Sequence, residues 1–172
     1  MNSIEYFRRW FVNPIKKLED LPKGDGGFAA FMIVIPLYDR YIRAKLKLAG
    51  KCTADESVRK EISKDLRMDD KQRRVFWAMF RNGFMHQGMP KKGETKYMFS
   101  SSFSAIPEFK EINNKNFICL DPWKFSERVL NKFLEEPKLI TVSESCPLAS
   151  IFVMPNDIKN EDFSTASGDA PF

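Results

Sequence analysis

Apolar residues recur along this chain at two spacings, and the change from one to the other divides it. From Ser3 to Val12, the residues Tyr6, Phe7, Trp10 and Phe11 fall at helical intervals. Asn13-Pro14 then predicts a break and a fresh helical start, with Asn13 as cap and Pro14 at the first position. The stretch PKGDGG (22–27) reads as a loop from its Gly and Pro content. Phe28, Phe31, Ile35, Tyr38, Ile42 and Leu46 advance by three or four residues, the stripe of a long core-facing helix, and Pro36 inside it predicts a kink. Thr53-Ala54-Asp55-Glu56 has the form of a capping box and opens a shorter helix with Val58, Ile62 and Leu66 inward. Asp69 is the expected cap of the next helix, which runs through DDKQRRVFWAMFRNGFMH to a stop at Gly88 and Pro90.

Past residue 95 the pattern shortens. Segments 96–106 and 116–120 are rich in aromatic and β-branched residues, and INN (112–114) predicts a turn, so this region reads as a small hairpin or extended flap. DPWKFSERVLNKFLEE (121–136) returns to helical spacing, with Asp121 as cap, Pro122 first, and Trp123, Val129, Leu130 and Phe133 inward. LITV (139–142) and SIFVM (150–154) suit short strands, and residues 156–172 suit a polar, flexible tail. The expectation is one mostly α domain over residues 1–155, a bundle of about five helices with a small β appendage near 96–120.

Composition narrows the class. A chain 43% hydrophobic and 30% charged is that of a soluble globular domain. Its longest uncharged run, Gly26 to Tyr38, falls short of the roughly 20 residues that span a bilayer, and arginines interrupt the apolar N-terminus where a signal peptide would be continuous. Cys52, Cys119 and Cys146 are odd in number and widely separated, which favours a reducing compartment, with the cytoplasm as the expected location. Residues 1–100 hold 21 Lys/Arg against 12 Asp/Glu, whereas residues 101–172 hold 7 against 11. A basic body with an acidic end fits a polyanionic partner such as RNA; an ordinary solvated surface is the equally weighted alternative.

The candidate chemistry lies in FRNGFMHQGMP (80–90), which contains the sole histidine. Val75, Met79, Asn82 and His86 share one helix face, and Phe76, Phe80 and Phe84 line another. Asn82 and His86 continue an apolar stripe, which predicts partial burial with satisfied polar atoms. Arg81 precedes His86 by five residues, about 140° around an ideal helix. Convergence of the two requires loosening at Gly83, the reach of arginine, or a symmetric pair of helices. An imidazole takes and gives protons near neutral pH, and a guanidinium forks onto phosphate oxygens. Together they suffice to assist attack of a ribose 2′-hydroxyl on its own phosphate and to stabilise the resulting charge, with Asn82 orienting the imidazole or the phosphate. Lys71, Arg73, Arg74, Lys91 and Lys92 flank this segment; Lys71, Arg74, Lys91 and Lys92 are the expected RNA contacts, with an ordinary solvated helix face of about equal weight for each. Tyr97, Phe99 and Phe103 are weaker candidates for base stacking, and Met79, Met85 and Met89 for a dimer seam. A plain structural role, with His86 bonded to a helix-end carbonyl and Arg81 in a surface ion pair, weighs about as much as the catalytic one on spacing alone. With one histidine and no acidic cluster at ligand spacing, neither a metal nor another cofactor is expected.

Arg81-Asn82-Gly83-Phe84-Met85-His86 resembles the R-N-x-x-x-H form of the Rx(4–6)H motif of the HEPN superfamily. The likeness covers residues 81–90 by motif and about 1–136 by helix order. It implies an all-α domain of the kind found in toxins, phage-conflict systems and RNA-processing proteins, working as a homodimer whose two copies build a composite site. It further implies Arg81 and His86 as catalytic and Asn82 as supporting, with metal-independent endonucleolytic cleavage of RNA to a 2′,3′-cyclic phosphate and a possible antitoxin or regulatory protein as partner. Members that have lost catalysis bind nucleotides, RNA or proteins, which is the alternative for this chain; a basic helical nucleic-acid-binding protein outside the superfamily is a third.

Overall fold

The computed structural model describes residues 3–22 and 25–141. Helix α1 (residues 3–18) runs through Asn13-Pro14 without the expected break. Its middle turn, Arg8–Val12, is π-helical, and Asn13 is helical at φ −66° and caps nothing. Proline has no N–H to offer the carbonyl four residues back, and the wider i→i+5 turn directly before Pro14 carries the helix past that missing donor.

Helix α2 (Gly26–Leu48) is the axis of the molecule. It is buried around much of its circumference, from Ala30 and Phe31 through Val34, Ile35 and Tyr38 to Ile42, and Pro36 lies within it. It begins inside the expected loop because Gly26 lies against the end of α1, where a Cβ would overlap the Leu18 carbonyl. Helix α3 (Asp55–Leu66) buries Val58, Ile62 and Leu66 as expected, but Thr53 does not cap it: the N-cap is Ala54, with no side-chain bond. Thr53 instead accepts Arg43 Nη1 on its carbonyl at 3.2 Å.

The capping box forms one helix later. Asp69 accepts the Gln72 amide at 2.7 Å, and Gln72 accepts the Asp69 amide at 3.2 Å. Helix α4 (residues 70–87) follows in three parts, Asp70–Phe76, a π-helical segment Trp77–Asn82, and Gly83–Gln87. It stops at Gly88 in the left-handed conformation, φ 65°.

Strands β1 (Lys96–Phe99), β2 (Glu108–Ile112) and β3 (Lys115–Leu120) form a sheet in the order β1-β3-β2. The hairpin therefore joins β2 to β3, antiparallel, around Asn113 and Asn114 at φ 50° and 57°. Asparagine tolerates this left-handed geometry, which a two-residue hairpin demands. The expected first strand, 96–106, is shortened: only 96–99 pairs, and it does so parallel to β3. Residues 100–107 loop back, tied by Lys124 Nζ to the carbonyls of Ser101 and Phe103.

Helix α5 (Pro122–Glu135) is capped by Asp121, which accepts the amides of Trp123 and Lys124 at 2.9 and 3.3 Å. Phe125 is fully buried with Val129, Leu130 and Phe133, whereas Trp123, expected inward, is only half-buried. The stretch expected as a strand at 139–142 begins instead as a helical turn, α6 (Lys138–Thr141), which buries Leu139 and Ile140. The strand expected at 150–154 and the tail at 156–172 lie outside the described residues.

The described residues form a mostly helical domain with one small sheet. Phe31 on α2 meets Phe80 and Phe84 of α4, Phe99 of β1 and Phe125 of α5, each edge-on at 5.0–6.0 Å. Among the described residues, no helix is long and apolar enough to cross a membrane.

Candidate functional site

The π-helical turn of α4 sets the geometry of the candidate site. An α-helix would spend the Met79 carbonyl on the amide of residue 83. Here the Gly83 amide turns to Phe80 instead, and the Met79 carbonyl accepts the Lys91 amide at 2.8 Å. The chain after the helix thus folds back over it. Gly83 makes the contact possible, because a Cβ there would stand 2.5 Å from Lys91 N and 2.6 Å from Met89 O. The sequence presents Gly83 as a weak point in a helix; the structure uses it as the seat of residues 89–91.

Arg81 lies within the π-helical turn, about three-quarters buried. Its Nη1 donates to Asn82 Oδ1 at 3.3 Å and its Nη2 to Asp39 Oδ2 at 3.4 Å. The other oxygen of Asp39 accepts Arg43 Nε at 3.2 Å. Asp39 was not legible as a site residue: it lies 42 positions from Arg81 and shows in the sequence only as one carboxylate on the polar side of α2.

His86 departs from its expectation. It is exposed, and among the described residues it makes no hydrogen bond or ion pair, not even to a helix-end carbonyl. Only Asn82 of the polar pair is partly buried and bonded. In the last turn of α4 Phe84 packs into the core while His86 stays exposed, and its neighbours Met85 and Met89 are 53% and 56% exposed. No hydrogen bond joins Arg81 to His86 within one chain.

The flanking cations divide. Lys71, Arg74, Lys91 and Lys92 are exposed, and among the described residues their side chains have no partner. Arg73 is buried, holds Asp70 at 3.3 Å and leaves Nε without an acceptor, so it is withdrawn from any surface contact. Phe99 belongs to the aromatic core, and Phe103 lies under Lys110 at 5.0 Å; Tyr97 remains 39% exposed.

A second polar cluster leaves no mark in the sequence pattern. Asp65 of α3 accepts Tyr38 Oη of α2 at 2.9 Å, and Arg128 Nη1 and Lys132 Nζ of α5 at 2.9 and 3.3 Å. Lys132 also donates to Tyr41 Oη and lies 4.6 Å from that ring's centroid. Burial pushes the Asp65 carboxyl up, but the Arg128 hydrogen bond and charge, followed by Lys132 and Tyr38, outweigh it and hold the group below its ordinary range. Burial first, then the Asp65 charge, pushes the Tyr38 hydroxyl well above its usual value. Every charge in this cluster is answered, so it clamps α2, α3 and α5 rather than presenting a reactive group. Its partners stand 27 to 67 residues apart, beyond any local signal.

Among the described residues, no group of His, Cys, Asp and Glu side chains is arranged to hold a metal ion. No family model, curated relative or solved structure matches the chain.

Proposed function

We propose that the chain is a HEPN-type, metal-independent endoribonuclease that acts as a homodimer. One observation carries this reading: a single helix both restrains a guanidinium at Arg81 and ends on an exposed imidazole, His86, that has no partner among the described residues. In the reaction a ribose 2′-oxygen attacks the adjacent phosphorus and the bond to the 5′-oxygen breaks. The imidazole takes the 2′-hydroxyl proton, or supplies one to the leaving 5′-oxygen, and the guanidinium stabilises charge on the phosphoryl oxygens. Asn82 holds the guanidinium plane through Nη1. Arg81 and His86 share no hydrogen bond within one chain, and in this reading a second copy completes the site.

The test is incubation of RNA in EDTA with wild type, Arg81→Ala and His86→Ala. Cleavage to 2′,3′-cyclic phosphate ends by wild type, reduced at least ~100-fold in each variant, is the expected result. Mixing the two inactive variants restores part of the activity if the residues combine across the dimer, and restores none if the site lies within one chain. A second reading, a catalytically silent module that binds RNA, a nucleotide or a partner protein, is favoured by the engagement of Arg81 with Asp39. Absence of cleavage by wild type at any protein concentration selects it.

A further inference from the structure

Three adjoining clefts, of about 360, 300 and 420 Å³, follow one another between α4 and the sheet. The first and second share Val75 and Thr95; the second and third share Met79 and residues 91–93. The result is a continuous groove, walled on one side by α4 and on the other by the 90–97 segment and the hairpin. We propose that this groove is the path of a single-stranded RNA, gripped by lysines along its rim, with unstacked bases lying on its apolar floor. The choice of RNA rests on the function proposed above; the groove does not.

Five lysines line it: Lys71 at the start of α4, Lys110 on the hairpin, and Lys91, Lys92 and Lys96 on the segment between. The carboxylates Asp69, Glu94 and Glu111 also line it, but Asp69 already accepts the Gln72 amide as a helix cap. Lys110 is paired with Glu108 at 2.8 Å, whereas Lys71, Lys91, Lys92 and Lys96 are exposed, with no side-chain partner among the described residues. Five lysines against three carboxylates leave the lining net positive, and four of those ammonium groups, without an ion pair among the described residues, match a run of phosphates. Exposed Tyr97 stands beside Lys96 at one end, and the half-buried rings of Phe109 and Phe117 reach the other. The floor between them is Val75, Ala78 and Met79.

That lining selects the strandedness. A duplex turns its phosphates outward and hides its base faces, leaving an apolar floor and aromatic edges without use. A single strand can offer both phosphates and base faces, and aromatic contacts with bases are tolerant of sequence. The groove also depends on the π-helical turn, because the Lys91 amide bond to the Met79 carbonyl fixes the 89–92 segment against α4.

The experiment is fluorescence anisotropy with a labelled 12-nucleotide single-stranded RNA and a hairpin duplex RNA. All proteins carry His86→Ala so that the probe stays intact. The groove variant adds Lys71→Glu, Lys92→Glu and Lys96→Glu. A control with the same change of net charge adds Lys51→Glu, Lys64→Glu and Lys138→Glu, all exposed and away from the groove. The expected result is tighter binding of the single strand than of the duplex, and at least ~10-fold weaker binding by the groove variant than by the control, with a shallower salt dependence. Equal weakening in the two variants, unaltered binding by the groove variant, or preference for the duplex overturns the proposal. Circular dichroism on both variants separates loss of binding from loss of fold, and 4-thiouridine cross-links mapped to residues 91–97 or 109–117 locate the strand if a variant misfolds. Because the readout is binding, groove-dependent binding without cleavage by wild type refutes the nuclease and leaves the groove, and cleavage that ignores the groove charges does the reverse.

Discussion

A methyl group on residue 83 would press on three backbone atoms of residues 89–91, and backbone cannot turn aside as a side-chain end can. Two effects oppose each other there. Replacing glycine by alanine within a helix gains about 1 kcal/mol of propensity. Against that, forcing atoms to 2.5 Å of an amide nitrogen in a packed site costs about 1–3 kcal/mol and breaks the Lys91–Met79 hydrogen bond. The second effect wins. Gly83→Ala is expected to lower unfolding stability by about 1–2 kcal/mol in urea titration, and to weaken the proposed RNA binding by displacing Lys91 and Lys92, although neither lysine is altered. An increase in stability would show that the 89–91 segment does not rest on the helix. At the same scale, Arg81 and His86 were legible as a pair of chemically capable residues from type and spacing. The burial expected of His86 was not met, because a helical stripe tells which residues share a face but not where the core ends beneath it.

Caps and turns account for most of the success in placing elements. Asp69, Gly88, Asn113-Asn114 and Asp121-Pro122 act where their residue types predict, because each satisfies or frees backbone groups within four residues of itself. Asp69→Ala removes an acceptor from the first turn of α4 and is expected to cost about 1 kcal/mol, read as a lower urea midpoint at unchanged slope. Thr53→Ala, at the box that does not form, is expected to change stability by less than about 0.5 kcal/mol, and the contrast between the two checks the assignment. The elements that sequence periodicity misplaced share a cause. β1 is short and pairs parallel to a strand some twenty residues away, and α6 is a single turn held by Leu139 and Ile140 against the rest of the fold. Neither contains enough residues for a period to declare itself. The two π-helical turns among the described residues are likewise invisible, since no residue type or spacing of its own marks an i→i+5 bond.

The clamp at Asp65 joins three helices and therefore acts on the whole molecule. Removing it with Asp65→Ala strands Arg128, Lys132 and the Tyr38 hydroxyl in a mostly buried setting, an expected loss of about 3 kcal/mol. Its protonation also shapes the pH range. The Asp65 carboxyl is held below its ordinary 3.8 in the folded state, so its stabilisation is complete above that value and is lost as pH falls through the lower folded value. The Tyr38 hydroxyl is held above its ordinary 10.0, so folding favours its neutral form and that contribution fades as pH rises beyond 10. Thermal unfolding of wild type is expected to be least pH-sensitive between these limits and to weaken on both sides. Tyr38→Phe is expected to blunt the alkaline loss specifically; an unchanged alkaline profile would remove Tyr38 from the account.

The sequence alone determined what local physics determines: a mostly helical chain, most of its helices and their inward faces, the hairpin turn, and one segment where a guanidinium and an imidazole stand five residues apart. Tertiary structure decided the rest. It assigned Arg81 to Asp39, left His86 open, folded residues 89–91 over Gly83, buried Arg73, and built both the Asp65 clamp and the groove between α4 and the sheet. Caps and stripes arise from atoms within one or two turns of each other, so residue types reveal them. Ion pairs across 42 or 67 positions, and clefts between elements, depend on how faces come to rest on one another, which no short stretch of chain contains.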